Sequence, residues 1–278
     1  MTISFFIKIK SFLNVKNLKT RFITTLILFS LFSFLFLLGE LAMSFFFILL
    51  FGGTLYELKL NYSKKIIFYQ KIQIFIIPFL LFVYLMCEIN NLIFKIPYLD
   101  NYDLFLISTI LLSILFFYSF NNILYTIISI LLVISFFSII QILLFSNGLY
   151  IVFYIVVLVT TMDIFAYIGG NIFGKIKIAP KISYGKTVEG TIIGLFFTIL
   201  ISIGFKDIVS LNFLNAIFLG IIIGFLAFFG DLIESSFKRK VGVKDSGSLM
   251  PGHGGLLDRF DGYLLVLPFA SLFFNFLI

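Results

Sequence analysis

Residues 104–162 read LFLISTILLSILFFYSFNNILYTIISILLVISFFSIIQILLFSNGLYIVFYIVVLVTTM, a run without a single Asp, Glu, Lys or Arg. The hydrocarbon core of a bilayer is about 30 Å thick, so a helix needs roughly 20 apolar residues to cross it. Only short polar turns, near Asn121-Asn122 and Asn147-Gly148, interrupt the run. This stretch therefore predicts consecutive membrane-spanning helices joined by short turns.

The composition of the whole chain excludes a soluble protein. Of its 278 residues, 61% are hydrophobic and only 12% are charged, and the mean hydropathy is +1.18. Globular chains are about half apolar and about a quarter charged. A chain of this length cannot bury so much apolar surface in its own core. We expect an integral membrane protein, and the composition excludes both a disordered protein and a soluble nucleic-acid binder.

Further apolar runs bring the predicted number of spans to nine. They are residues 22–38, 41–57, 72–88, 104–119, 123–145, 149–170, 188–205, 211–234 and 260–278. The expected fold class is an all-α polytopic membrane protein with about nine transmembrane helices. We divide it into an N-terminal transmembrane region of about five helices, residues 1–150, and a C-terminal transmembrane region, residues 151–278, which carries two polar motif loops.

The basic residues fall almost entirely on one side of this arrangement. Of the 20 Lys and Arg residues, all but Lys95 and Lys206 lie before the first span or in the loops after the second, sixth and eighth spans. Cytoplasmic loops are enriched in Lys and Arg. The N-terminus is therefore expected in the cytoplasm and the C-terminus outside. Both motif loops then face the cytoplasm, and much of the net charge of +7 reflects topology.

Carboxylates concentrate in the last third of the chain, near the predicted cytoplasmic ends of spans. Asp231 and Glu234 lie one turn apart near the end of the eighth span, and Asp258 and Asp261 have the same spacing where the ninth begins. An aspartate inside the bilayer costs at least about 2.5 kcal/mol, so it usually has a partner or a function. These carboxylates either pair with nearby cations at the headgroup level or converge on a site. Their position beside a glycine-rich basic loop favours a site.

The loop between the eighth and ninth spans reads SSFKRKVGVKDSGSLMPGHGGLLDRFD from residue 235 to residue 261. Its glycines allow the positive φ and close backbone approach of a phosphate-binding nest. Its cations suit a polyphosphate, and its aspartates supply oxygen ligands of the kind Mg²⁺ prefers. The combination favours phosphoryl or nucleotidyl transfer. A basic turn that binds lipid headgroups is the alternative, but it explains only the cations.

His253 is the only histidine in the chain, so a multi-histidine metal site is excluded. Two roles remain open for it. It either acts as a general acid or base, or it fixes the glycine-rich turn and contacts a phosphate.

The loop before the seventh span ends in SYGKTVEG, residues 183–190. A helix that starts with small residues, Thr187 and Glu189 can bind an anion at its N-terminus. The alternative is a helix N-cap at Thr187 next to a solvated Lys186.

Residues 235–261 resemble the signature of the phosphatidate cytidylyltransferases, also called CDP-diacylglycerol synthases. That signature is a serine, a Lys-Arg pair, a Lys-Asp pair, a Pro-x-His-Gly-Gly segment and a closing Asp-Arg-x-Asp. Its fixed positions occur here in order: Ser235, Lys238, Arg239, Lys244, Asp245, Gly247, Pro251, His253, Gly254, Gly255, Asp258, Arg259 and Asp261. A looser resemblance extends back to about Asp163. Tyr184-Gly185 replaces the proline and polar residue that the family usually has before Lys-Thr.

The resemblance implies Mg²⁺-dependent transfer of CMP from CTP to phosphatidate, giving CDP-diacylglycerol and pyrophosphate in phospholipid biosynthesis. It implies a multi-pass inner-membrane enzyme, a homodimer with its active site facing the cytoplasm, in which residues 151–278 are the catalytic region. A second cation is left open. The implied metal ligands are Asp231, Asp258 and Asp261, and the further catalytic residues are Lys244, Asp245 and His253. The implied substrate- and phosphate-binding residues are Ser183, Lys186, Thr187, Glu189, Lys238, Arg239, Gly254, Gly255 and Arg259.

Two other functions remain open at this point. One is a related CTP-dependent enzyme, a lipid or polyprenol kinase or a cytidylyltransferase that acts on a different lipid phosphate. The other is an ion-coupled secondary transporter, which would have inverted repeats and interrupted helices in both halves. The charged motifs crowd into the second half of the chain, and this disfavours the transporter.

Overall fold

The computed structural model describes residues 15–62, 123–247 and 254–277. Its helices are α1 (Val15–Leu38), α2 (Glu40–Tyr62), α3 (Ile123–Leu144), α4 (Gly148–Phe173), α5 (Val188–Gly204), α6 (Phe213–Val241), α7 (Leu257–Phe260) and α8 (Tyr263–Leu277). A short 3₁₀-helix, Lys206–Val209, joins α5 to α6. Two strands, β1 (Lys177–Ala179) and β2 (Ser183–Thr187), lie between α4 and α5.

The helices confirm a mostly helical protein with membrane-spanning segments. Within the described part of the chain, four stretches are long and apolar enough to cross a bilayer: Glu40–Leu60, Ile127–Leu144, Gly148–Phe173 and Phe213–Val241. Three shorter apolar helices accompany them: Ile23–Leu38, Val188–Gly204 and Tyr263–Leu277. The spans predicted at residues 72–88 and 104–119 lie outside the described residues. The number nine and the sidedness of the two termini therefore stay predictions.

The all-α prediction is wrong in one place, the loop between α4 and α5. There β1 and β2 form an antiparallel pair, with Lys177 opposite Thr187 and Ala179 opposite Ser183. The strands have only 3 and 5 residues. Alternation of apolar and polar residues is recognised over roughly 4–8 residues, so β1 is too short to show it, and β2 (SYGKT) has no alternating apolar residues. The hairpin leads directly into the first turn of α5.

Glycines let α4 and α5 pack closely. A Cβ on Gly190 would lie 2.5 Å from the carbonyl oxygen of Ala166, and one on Gly194 would lie 2.8 Å from the sulfur of Met162. Small residues at a helix interface allow this backbone approach in membranes. The packing fixes the N-terminal end of α5 against the C-terminal half of α4.

A stacked aromatic column connects the N-terminal helices to the motif loop. The ring of Phe136 on α3 stacks on Phe51 of α2 at 4.6 Å between centroids and on Phe260 of α7 at 4.5 Å. Each such pair contributes about 0.5–1.5 kcal/mol beyond the burial of its area. The short helix α7 is therefore held by residues that precede it by more than a hundred positions.

Candidate active site

An ion pair joins the hairpin to α6. The Nζ atom of Lys186 lies 2.6 Å from Oδ2 of Asp231 and donates a hydrogen bond to the carbonyl oxygen of Phe228 at 3.2 Å. Only 14% of the Lys186 side chain is exposed. On the other side of the carboxylate, the hydroxyl of Ser235 donates to Oδ1 of Asp231 at 3.0 Å. The interpretation of Lys186 as a solvated lysine is therefore wrong.

The N-cap interpretation of Thr187 is confirmed. Its hydroxyl oxygen accepts a hydrogen bond from the N–H of Gly190 at 3.2 Å, and its backbone is extended. Two residues later, the carboxylate of Glu189 accepts backbone hydrogen bonds from Lys175 at 3.0 Å and from Ile176 at 3.3 Å. Thr187 and Glu189 thus order the junction of the hairpin with α5, and their predicted contact with substrate stays a prediction.

Replacing Thr187 by Ala is expected to destabilise the protein by about 1 kcal/mol, because one N–H at the start of α5 loses its acceptor. Thr187→Ser keeps the acceptor and should retain most of the stability. The measurement is thermal unfolding of the detergent-solubilised variants. Thr191→Ala is the matched control, since its hydroxyl donates only to a carbonyl of the same turn, that of Thr187. Equal unfolding temperatures for wild type and Thr187→Ala would show that the cap contributes nothing.

Asp261, between α7 and α8, lies among other acidic groups. Burial raises its pKa well above the ordinary value of an aspartate, and the charges of Asp231, Glu234 and Asp163 raise it further. Carboxylates from α4, α6 and the α7–α8 junction thus act on one another in a single neighbourhood. Asp163, the first charge after the apolar run, was missing from the predicted site residues. Asp163 lies inside a predicted apolar span, where a charge is unfavourable, and this feature of the sequence could have identified it.

Within the described ranges, no three His, Cys, Asp or Glu side chains converge closely enough to hold a metal ion by themselves. Mg²⁺ usually takes only one or two carboxylates and completes its coordination with water and substrate phosphates. Asp231 and Asp261, which interact electrostatically, supply donors of this kind. The residues present therefore fit a magnesium ion that is bound together with a phosphate-bearing substrate.

The carboxylate of Asp258 is held by partners in the motif loop and on α6. It accepts hydrogen bonds from the N–H of Ser246 at 3.0 Å and of Gly255 at 2.8 Å, and from Nζ of Lys238 at 2.8 Å. Burial alone would raise the pKa of Asp258, but Lys238 and these backbone donors outweigh burial and hold the pKa below the ordinary value. A metal-binding role for Asp258, as for Asp231 and Asp261, stays a prediction.

Lys238 bridges two carboxylates. Its Nζ lies 2.7 Å from Oε2 of Glu234 and 2.8 Å from Oδ1 of Asp258. The Glu234 side chain is fully buried and that of Lys238 is 10% exposed. The charge of this predicted phosphate-binding lysine is therefore already neutralised by acidic partners of its own.

The other predicted site residues differ in their hydrogen bonds and in their exposure. The guanidinium of Arg239 donates to the carbonyl oxygens of Ile182 and Val243, at 3.1 Å and 3.2 Å, so it ties the hairpin to the end of α6. Lys244, Asp245 and Arg259 are exposed. Ser183 begins β2 opposite Ala179 and is half-buried. His253 lies outside the described residues.

The predicted need for glycine after His253 is confirmed at Gly254 and Gly255. Gly254 has φ +86°, a value that other residues rarely adopt, and a Cβ there would lie 2.6 Å from Oδ2 of Asp258. At Gly255 a Cβ would collide with the hydroxyl oxygen of Ser246. The backbone at both positions is therefore folded directly against Ser246 and Asp258.

The sequence has recognisable relatives. The sequence model of the Cytidylyltransferase family matches residues 19–277. A phosphatidate cytidylyltransferase of Staphylococcus aureus is 43% identical over 129 residues, which are 46% of this chain and 50% of that protein. One from Haemophilus influenzae is 41% identical over 138 residues, which are 48% of each chain. The chain thus aligns with about half the length of the curated relatives it matches.

Proposed function

This chain belongs to the cytidylyltransferase family, and from that premise we propose that it transfers CMP from CTP to phosphatidate, giving CDP-diacylglycerol and pyrophosphate. The named activity of its relatives supports the choice of nucleotide and lipid. The enzyme would work in phospholipid biosynthesis, at the cytoplasmic face of the cell membrane and as a homodimer. This sidedness rests on the distribution of Lys and Arg described above.

The observation that carries the proposal is the Lys186–Asp231 pair beside Asp163 and Asp261. In the proposed reaction, a phosphate oxygen of phosphatidate attacks the α-phosphorus of CTP and the bond to the β-phosphate breaks. Both reactants and the leaving pyrophosphate are anionic, so the site must hold negative charge in place. Mg²⁺ held by Asp231 and Asp261 would neutralise charge on the phosphates as it shifts from the α-phosphate to the leaving group.

In the proposed reaction, Lys and Arg side chains of the protein also stabilise the negative charge of the phosphates. Lys186 orients the Asp231 carboxylate through their ion pair, and its ammonium is within reach of a phosphate bound at that carboxylate. Arg259 and Lys244 are exposed at the ends of the motif loop, and Arg259 acts electrostatically on Asp163. Charge that is positioned in advance at the place where it is needed is usually the largest catalytic contribution in such transfers.

The lipid acceptor is tested with membranes that contain the protein, CTP labelled in the cytidine ring, and Mg²⁺. We expect a labelled CDP-lipid when phosphatidate is added, and none with diacylglycerol, which lacks the attacking phosphate. A polyprenyl phosphate serves as a second acceptor. A labelled product from the polyprenyl phosphate and none from phosphatidate would contradict the proposed substrate and favour a cytidylyltransferase that acts on a different lipid phosphate.

A further inference from the structure

Glu57 on α2 contacts the motif loop of residues 235–261 at two places, Ser246 and Leu257, although it precedes them by about two hundred positions in the chain. Its Oε2 atom accepts a hydrogen bond from the N–H of Leu257 at 3.0 Å, and the hydroxyl of Ser246 lies 3.4 Å from the same oxygen. Glu57 and Ser246 are each 1% exposed, and Leu257 is fully buried. One carboxylate from the N-terminal region thus meets the segment that leaves α6 and the segment that enters α7.

The contact continues into the polar network of the loop. The N–H of Asp258 donates to the Ser246 hydroxyl oxygen at 3.2 Å, while the N–H of Ser246 donates to the Asp258 carboxylate. Lys238 binds the same carboxylate and pairs with Glu234 on α6. A displacement of Glu57 would therefore move Ser246 and Asp258, and through them the start of α7. The loop's last residue, Asp261, follows α7 directly.

Two glycines exist in the loop at the places where its backbone lies against Glu57. A Cβ on Gly247 would collide with Oε1 of Glu57, and a Cβ on Gly255 would lie 2.6 Å from Oε2. The carboxylate is thus enclosed by backbone from both sides of the loop. Only glycine permits this approach, because any Cβ would have to displace either the carboxylate or the loop.

A buried carboxylate at this position stabilises the fold less than an apolar side chain of similar size would. Among the described residues, no donor makes a hydrogen bond to Oε1 of Glu57, although the side chain is almost fully buried. A buried polar atom without a hydrogen bond destabilises the fold, whereas an apolar side chain of similar size would not. The residue type is better explained by the backbone donors that it orients than by stability alone.

We infer that Glu57 is a positioning residue: its carboxylate holds Ser246 and Leu257 at the spacing that brings the α7 end of the motif loop to the acidic cluster of α4 and α6. The inference rests on the proposed function, because the reaction for which the loop is positioned is the cytidylyl transfer. It makes the N-terminal region part of the active-site scaffold as well as a membrane anchor.

The first test compares Glu57→Ala and Glu57→Gln in detergent-solubilised protein. Glu57→Ala is expected to lower kcat at least about tenfold while the KM for phosphatidate changes by less than about twofold, because a displacement near 1 Å at the reacting groups costs up to about a hundredfold in rate. Glu57→Gln keeps an oxygen acceptor for Leu257 and Ser246 and should recover most of kcat. Ser44→Ala is the matched control, since Ser44 is also buried on α2 but donates only to Glu40 of its own helix.

The second test does not depend on activity. Gly247→Ala should lower the unfolding temperature in the wild-type background and lower it much less in the Glu57→Ala background, where the colliding carboxylate is gone. Equal effects in both backgrounds, or wild-type kcat in Glu57→Ala, would overturn the inference. A folded Glu57→Gln variant without activity would also overturn it. If wild type forms no CDP-lipid, the proposed function fails, and the thermal comparison still decides whether Glu57 holds the loop.

Discussion

Asp261→Asn is expected to abolish cytidylyl transfer, with a loss of at least about a hundredfold to a thousandfold in kcat, while the protein stays folded in the membrane. Losses of this size follow when one preorganised group that stabilises the developing charge of a transition state is removed. Asn keeps the shape of the side chain and an oxygen that can accept from the N–H of Gly262, as Oδ1 of Asp261 does at 2.7 Å. The substitution therefore removes only the negative charge and one carboxylate oxygen that could bind a metal ion.

The stability of Asp261→Asn is expected to be unchanged or higher, although its activity is lost. Burial and the neighbouring carboxylates raise the pKa of Asp261, so folding disfavours its charged form relative to the unfolded chain. An uncharged Asn removes that repulsion, and the unfolding temperature should be unchanged or higher. Asp207→Asn is the control, because Asp207 is 85% exposed and pairs with Lys206 outside the site. Near-normal turnover of Asp261→Asn would refute its assignment as a metal ligand.

Lys238→Met should cause the largest loss of stability. It removes the cation between Glu234 and Asp258 and leaves two buried or nearly buried carboxylates without it. Breaking a buried ion pair by removing one partner costs about 3–5 kcal/mol. We expect a large drop in the unfolding temperature in detergent and a corresponding loss of activity.

Two further variants separate this role from direct phosphate binding. The double variant Lys238→Met/Glu234→Gln should recover part of the lost stability, because it removes one of the two orphaned charges. Lys240→Met, at an exposed position in the same helical turn, should unfold like wild type. If Lys238→Met unfolds like wild type and only raises the KM for CTP, Lys238 binds phosphate and does not hold the network.

The sequence predicted features that depend on local chemistry. The apolar runs located every membrane helix that the structure describes, and Thr187 and Gly254 have the N-cap and positive-φ conformations expected of them. The family resemblance of residues 235–261 is confirmed. Features of this kind follow from a residue and its immediate neighbours, so a single sequence is enough to reveal them.

Contacts between segments that are far apart in the sequence could not be predicted from such local features. The i, i+3 spacing of Asp258 and Asp261 predicted one shared cavity, but it could not reveal that Lys238 and the backbone N–H groups of Ser246 and Gly255 bind the oxygens of Asp258. A solvated Lys186 was one of two interpretations of its loop, and neither could reveal its ion pair with Asp231 on a different helix. Glu57 has no local feature that distinguishes it, since its partners are at positions 246 and 257.

The central claim is that the β- and γ-phosphates of CTP leave as pyrophosphate while the α-phosphate joins the lipid. Membranes containing the wild-type protein are incubated with phosphatidate, Mg²⁺ and CTP labelled either in the α- or in the γ-phosphate. We expect α-label in the lipid product and γ-label only in pyrophosphate, with both signals lost in Asp261→Asn. Label from the γ-phosphate in the lipid would identify a kinase, and no lipid label from either nucleotide would contradict cytidylyl transfer to phosphatidate altogether.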